Sequence, residues 1–385
     1  MDVALGHGDH LGDVVGRRSN VHLGGRVPGE GNRHPGRVDL RTTYLRGAGT
    51  QLAVVATALL AVAGTLNAQY DWYSSWSDLG TAFQGGDSSA GSPELIRAGA
   101  GAAAAPIRTV REPQIRGLDP DPGPDGQYVT VTLLGPVSKV SSSVVLWLPR
   151  SYTQAGSAHR HYPVIEVFHG IPGSPREYSH DINLGKMVSG LAAAGRIREA
   201  ILVMPDSSPH KVDTECVNGG RRGPAMETWL TKEVPNWVRH SLRVQGDRQS
   251  WATMGLSTGG FCSSMAAMLH PHTYGAAIEL GGYLSPQFDA HYRPFAYGST
   301  AWNRYDLVKV AARNPPHVAL WIETSKTDSL SYWGNSRLIA TAAAPMSVTA
   351  DVLLDAGHRM SVWVAVMPTA LQWLGSTMSG FRPQS

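Results

Sequence analysis

Residues 250–271 read SWATMGLSTGGFCSSMAAMLHP. The stretch 250–257 is a short apolar run of the kind that forms a buried strand, and FCSSMAAMLHP (261–271) reads as a helix stopped by Pro271. Between them lies Gly255-Leu256-Ser257-Thr258-Gly259, with one more glycine at Gly260. A serine between a strand and a helix, with glycine on both flanks, fits a sharp G-x-S-x-G turn that pushes its hydroxyl out of the backbone. The physics is steric: without side chains, the flanking backbone can pass close by. Ser257 is the expected nucleophile.

The same alternation extends in both directions. YVTVTLL (128–134) and SVVLWLP (143–149) read as a strand pair joined through a Gly-Pro turn. PVIEVFHG (163–170), AILVMPDS (200–207), HVALWIET (317–324) and VTADVLLD (348–355) read as further strands. Residues 225–243 carry Met226, Leu230, Val234, Trp237 and Val238 at helical spacing. Strands alternating with helices predict an α/β architecture, a mostly parallel sheet flanked by helices. In such sheets the active site lies at the carboxyl ends of the strands.

A serine hydroxyl needs a general base at neutral pH. His358, in Leu354-Asp355-Ala356-Gly357-His358, follows an apolar strand near the C-terminus and is the expected base, ahead of His169, His270, His272, His291 and His317. The third member must orient and stabilise the imidazole. The acid precedes the histidine in chain order, so Asp328, in the loop after a strand, is favoured, with Glu323 as the second candidate. A tetrahedral intermediate needs two backbone N–H donors. One is expected from Thr258, directly after the nucleophile. The other is expected from His169-Gly170-Ile171-Pro172-Gly173, where Pro172 has no N–H; Ile171 is the first choice and Gly170 the second. Together these features predict an α/β-hydrolase fold.

The chain has 385 residues, 33 basic and 30 acidic, for a formal net charge of +3. So even a balance argues against a nucleic-acid partner. No metal or organic cofactor is implied. Residues 52–68 form one uncharged run, preceded by Arg41 and Arg46 and followed by Tyr70, Trp72, Tyr73 and Trp76. This predicts a signal anchor, one N-terminal transmembrane helix over 46–70, with a cleaved signal peptide or a buried core helix as alternatives. The expected organisation is a disordered cytoplasmic segment (1–45), the anchor (46–70), a linker (71–125) and a catalytic domain (126–380) on the extracellular side of the cell membrane. The two cysteines, Cys216 and Cys262, are either buried thiols or a disulfide.

Segments 163–183, 213–238, 250–285, 302–306 and 354–358 resemble an esterase family of α/β-hydrolases that holds esterase D-type enzymes and the mycobacterial antigen 85 mycolyltransferases. The matching stretches are FHGIPGSPREYSHDIN, DTECVNGGRRGPAMETWLTKEVPNWV, MGLSTGGFCSSMAAMLHP and DAGH, and the resemblance covers roughly residues 128–375. It implies a serine esterase acting on a small-molecule or lipid acyl ester. The triad would be Ser257, Asp328 and His358, and the oxyanion hole the amides of Ile171 and Thr258. The alternative it implies is acyl transfer to a sugar hydroxyl such as that of trehalose; an inactive envelope-binding protein on the same scaffold is the lesser alternative. The mycolyltransferases carry an Asp and an Arg where this chain has His169 and Pro172, so its loop has the plain esterase form H-G-x-P-G. The pairing of DTEC with GGFC places Cys216 beside Cys262 as an expected disulfide.

Overall fold

The computed structural model describes residues 117–290 and 292–383, residue 115, the strand Glu94–Arg97 and six positions between 51 and 61. The chain divides into two compact units, Met1–Leu60 and Ala61–Ser385. In the first, residues 51, 54, 55, 57 and 58 are helical and exposed. No helix among the described residues is long and apolar enough to cross a membrane. The cytoplasmic segment expected over 1–45, and most of the anchor expected over 46–70, lie outside the described residues.

The second unit is built on one nine-stranded sheet. Its strands are β1 (Glu94–Arg97), β2 (Gln127–Leu134), β3 (Ser141–Leu148), β4 (Val164–Phe168), β5 (Ile201–Pro205), β6 (Trp251–Leu256), β7 (Ala276–Leu280), β8 (Ala319–Ser325) and β9 (Ser347–Leu353). They lie in the order β1-β2-β3-β5-β4-β6-β7-β8-β9. The strands from β5 to β9 are parallel, whereas β2 and β3 form an antiparallel pair and β3 joins β5 antiparallel. Two features fall inside the stretch read as linker: β1 pairs in parallel with β2, and Ile115 is buried. An added strand satisfies the backbone groups that β2 would otherwise leave open at the sheet edge.

The central strands are buried along their whole length and mostly apolar because both faces are covered. Val164 and Phe168 of β4 join one core, with Trp251, Phe261 and Leu307, while Ile165 and Val167 join the other, with Met254, Trp363 and Leu371. The first core receives α2 (Val234–Ser241), α3 (Thr258–Leu269), α4 (Leu307–Arg313) and α5 (Tyr332–Thr341); the second receives α1 (Leu184–Ala193) and α6 (Met360–Thr377). Helices therefore flank the sheet on both faces, as expected. The helical stretch expected over 225–243 is present, but Trp229–Glu233 widens into a π-turn before α2. Pro235 accounts for this: it has no N–H and its ring collides with the carbonyl four residues back, so the preceding turn opens.

After β4 the chain places β5 on one side of it and returns to place β6 on the other. This reversal opens a crevice at the carboxyl ends of β4 and β6, where ligands bind in open α/β sheets. The residues at those two ends are His169-Gly170 and Ser257.

Candidate active site

Ser257 sits between β6 and α3 with φ +53° and ψ −123°. A non-glycine residue rarely adopts this backbone. Its N–H donates to the Leu280 carbonyl of β7 at 2.9 Å, and its carbonyl accepts from Gly260 N–H at 2.9 Å, so the strained turn is fixed from both sides. The flanking glycines are required by space. A Cβ on Gly255 would overlap the Gly259 carbonyl oxygen, and a Cβ on Gly259 would overlap the Phe168 carbonyl oxygen of β4.

His358 reaches this serine from the far side of the chain. Its Nε2 lies 2.9 Å from Ser257 Oγ, and its Nδ1 lies 2.8 Å from Asp328 Oδ2. The loop that carries it is tied to the end of β8: Ser325 Oγ accepts from Ala356 N–H (2.9 Å) and Gly357 N–H (3.1 Å). Gly357 turns the chain at φ +68°. Trp363 meets the imidazole edge-on, with ring centroids 4.7 Å apart.

Asp328 is buried, and its carboxylate is fully occupied. Oδ1 accepts from Leu330 N–H (3.0 Å) and Ser331 N–H (3.3 Å), while Oδ2 accepts from Ser331 Oγ (2.6 Å) as well as His358. Burial pushes its pKa up, but the His358 bond and charge, Ser331 and the Leu330 N–H outweigh this and hold it below the ordinary carboxylate value. Glu323, the second candidate, behaves differently. It is buried within β8, and burial together with the Asp328 and Asp351 charges pushes it up to about 8, against the pull of Trp363 and the Gly281 backbone. A carboxyl of that kind is neutral at pH 7 and does not offset a charged imidazole.

The oxyanion side is equally specific. A Cβ on Gly170 would stand 3.5 Å from the Cβ of Ser257, so this loop lies against the serine. The Gly170 N–H faces Glu177 Oε2 at 3.4 Å, which leaves Gly170 committed elsewhere. The buried His169 donates from Nδ1 to the Gly170 carbonyl (2.9 Å), and its Nε2 accepts from Ser207 N–H (3.1 Å). In a planar trans peptide the carbonyl and the following N–H point in opposite directions. Fixing the Gly170 carbonyl therefore aims the Ile171 N–H the other way. Thr258 is the first residue of α3, where backbone N–H groups have no partner within the helix.

The cysteines are joined, Cys216 to Cys262, with Cα atoms 5.7 Å apart. Of the competing histidines, His270 binds Glu227 at 2.9 Å and His169 supports the loop after β4, while His291 lies outside the described residues. Among the described residues no group of three or more His, Cys, Asp or Glu is placed to hold a metal ion. The supporting residues Ser325, Ser331 and Trp363 carry no sequence signal, since serine and tryptophan are common in this chain and their role depends on loops meeting in space.

A parallel sheet flanked by helices, with a serine elbow opposite a histidine and an acid, defines an α/β-hydrolase. A family model described as "Putative esterase" matches residues 139–374, and the chain belongs to this esterase family. It is similar to an uncharacterized protein of Corynebacterium glutamicum, 23% identical over 271 residues, which cover 65% of this chain and 62% of that protein. It is also similar to the MPT51 antigen of Mycobacterium leprae, 25% identical over 132 residues, which cover 34% of this chain and 40% of the antigen. The chain thus spans less than two thirds of either relative. Among solved structures, an S-formylglutathione hydrolase from Agrobacterium tumefaciens superposes with a TM-score of 0.56 at 17% identity, covering 67% of this chain and 98% of that one.

Proposed function

We propose that this protein is an exported serine esterase that hydrolyses carboxylic acyl esters through an acyl-enzyme intermediate. The observation that carries the reading is the continuous line Ser257 Oγ, His358 Nε2, His358 Nδ1, Asp328 Oδ2, with steps of 2.9 and 2.8 Å. His358 takes the Ser257 proton as Oγ attacks the ester carbonyl. The oxyanion is held by the N–H groups of Thr258 and Ile171. As the carbonyl reforms, His358 returns the proton to the leaving alcohol oxygen, and Ser257 keeps the acyl group. Water then enters; His358 takes its proton, hydroxide adds to the acyl carbon, and the acid leaves as the proton returns to Ser257. Asp328 keeps the imidazole in the right tautomer and balances its charge throughout.

A sugar hydroxyl in place of that water would make the protein an acyltransferase. His169 and Pro172, at the positions where mycolyltransferases carry Asp and Arg, favour water. The proposed setting is the extracellular side of the cell membrane, with the uncharged run 52–68 as a single-pass anchor. Arg41 and Arg46 before that run and the Cys216–Cys262 disulfide support it.

A fluorophosphonate probe tests the chemistry. It should label wild-type protein on Ser257 and leave Ser257→Ala unlabelled and inactive towards p-nitrophenyl esters; equal labelling of the alanine variant rejects the assignment. Product analysis with and without trehalose separates the two acceptors: free acid in both supports hydrolysis, and a trehalose ester supports transfer. Protease treatment of intact cells tests the location, since an extracellular domain is degraded and a cytoplasmic one survives.

A further inference from the structure

Behind the serine elbow lies a second chain of polar groups that the proposed mechanism does not use. The Tyr283 hydroxyl oxygen, in the loop after β7, is 2.6 Å from Glu215 Oε1 and 3.0 Å from Thr258 Oγ1. All three residues are buried. Glu215 and the next residue, Cys216, both stand in the left-handed region at φ 49° and 53°, a costly backbone for residues with side chains. Two features hold them there. Cys216 is bonded to Cys262 on α3, four positions after Thr258, and the Tyr283 ring stacks on Phe261 of the same helix at 5.5 Å. The loop, the tyrosine and the helix start are thus fastened to one another.

A hydroxyl has a single proton, so Tyr283 can donate to only one of its two neighbours. An ionised Glu215 takes that proton, and Thr258 then donates its own to the Tyr283 oxygen. A neutral Glu215 donates to Tyr283 instead; Tyr283 then donates to Thr258, and the Thr258 proton is released from the chain. The charge on Glu215 therefore sets the direction of every hydrogen bond leading to the residue after the nucleophile. We infer that Glu215 and Tyr283 are positioning residues of the esterase centre, which orient the oxyanion donor Thr258 through this hydroxyl chain and favour catalysis while Glu215 is neutral. The inference rests on Thr258 being an oxyanion donor. An ionised Glu215 would draw the Thr258 hydroxyl towards Tyr283 and away from the developing oxyanion.

Burial pushes Glu215 up to about 8, with the Asp213 charge adding to the rise; Tyr283 and the Gln287 backbone N–H oppose it, and Asp289 adds to it. Among the described residues, Asp213, Asp289 and Tyr283 are the titratable groups acting on it, and Thr258 touches the same tyrosine. The switch therefore falls in a range that kinetics can reach.

The test is kcat/KM for p-nitrophenyl butyrate from pH 6 to 9.5 in wild type, Glu215→Gln and Tyr283→Phe. Wild type should fall about tenfold as pH rises through about 8. Glu215→Gln cannot ionise and still donates to Tyr283, so its alkaline fall should vanish. Tyr283→Phe breaks the chain and should lower kcat with KM little changed, again without the fall. An alkaline limb in Glu215→Gln matching wild type overturns the inference, and this near-isosteric variant decides alone if Tyr283→Phe does not fold. Labelling of Ser257 by the fluorophosphonate probe is measured in parallel. Wild-type protein that is folded but unlabelled rejects the esterase reading itself, whereas labelled protein with an unchanged Glu215→Gln profile rejects only the role of Glu215.

Discussion

At the scale of single residues, the centre depends on Ser257 holding a backbone that its neighbours enforce. Gly259 is the sharpest case, because any side chain there meets the Phe168 carbonyl of β4. Gly259→Ala should therefore displace the elbow, lowering esterase activity by at least about a hundredfold and reducing the melting temperature; a variant with wild-type activity and stability would contradict this steric account. In the proposed mechanism, His358→Ala and Asp328→Asn act on the chemistry. Each should lower kcat by about 10⁴-fold while circular dichroism shows that the fold is retained. Ser257, His358 and Asp328 were readable in sequence because each stands after a strand, at a spot that chain order singles out. Ser331 was not, although its hydroxyl binds the same oxygen of Asp328 as the histidine. Nor was Glu215, whose side-chain partner Tyr283 is 68 positions away.

At the scale of elements, loops are fastened to one another and to helices by covalent and ionic ties. The Cys216–Cys262 bond closes a loop with a sequence separation of 46, worth about 4 kcal/mol by chain entropy. The double variant Cys216→Ser/Cys262→Ser should lose stability on that order in urea unfolding, and an unchanged midpoint would show that the bond is absent in solution. Glu227, ahead of α2, joins His270, Tyr305 and Arg304. Burial pushes it up, but the bonds from His270 and Tyr305 and the charge of Arg304 hold it at about 2. Its folded pKa lies below its unfolded one, so its contribution is present above about 4.5 and disappears as pH falls towards 2. The element pattern was largely legible, since apolar runs ending in glycine or polar loops mark β4, β5, β6 and β8. β7 escaped: Ala276–Leu280 is buried on both sides, so it shows no alternation, and four apolar positions around Glu279 do not distinguish strand from helix. The π-turn at Trp229–Glu233 also lies beyond a periodicity argument, because it answers a single proline.

At the scale of the whole molecule, two groups of carboxyls pull stability in opposite directions. Glu166, Glu215 and Glu323 are each raised to about 8, chiefly by burial. A raised folded pKa gives stability that is complete below about 4.5 and is lost as pH rises through about 8. Glu227 and Asp328 are lowered and act in the other direction, losing their contribution on acidification. Stability should therefore peak near about pH 5, and urea midpoints measured from pH 3 to 9 should fall on both sides. A midpoint that rises steadily to pH 9 would contradict this balance. The α/β architecture with helices on both faces was legible from alternation alone. The parallel edge strand β1 was not, because Glu94–Arg97 sits in a Gly- and Ala-rich stretch that reads as linker.

The most direct test of the account is mass spectrometry of the intact protein after brief reaction with a p-nitrophenyl ester and acid quench. A single added acyl group is expected on the peptide carrying Ser257, formed in wild type, slowed by orders of magnitude in His358→Ala and absent in Ser257→Ala. An acyl group on another residue, or equal acylation rates in wild type and His358→Ala, would contradict it.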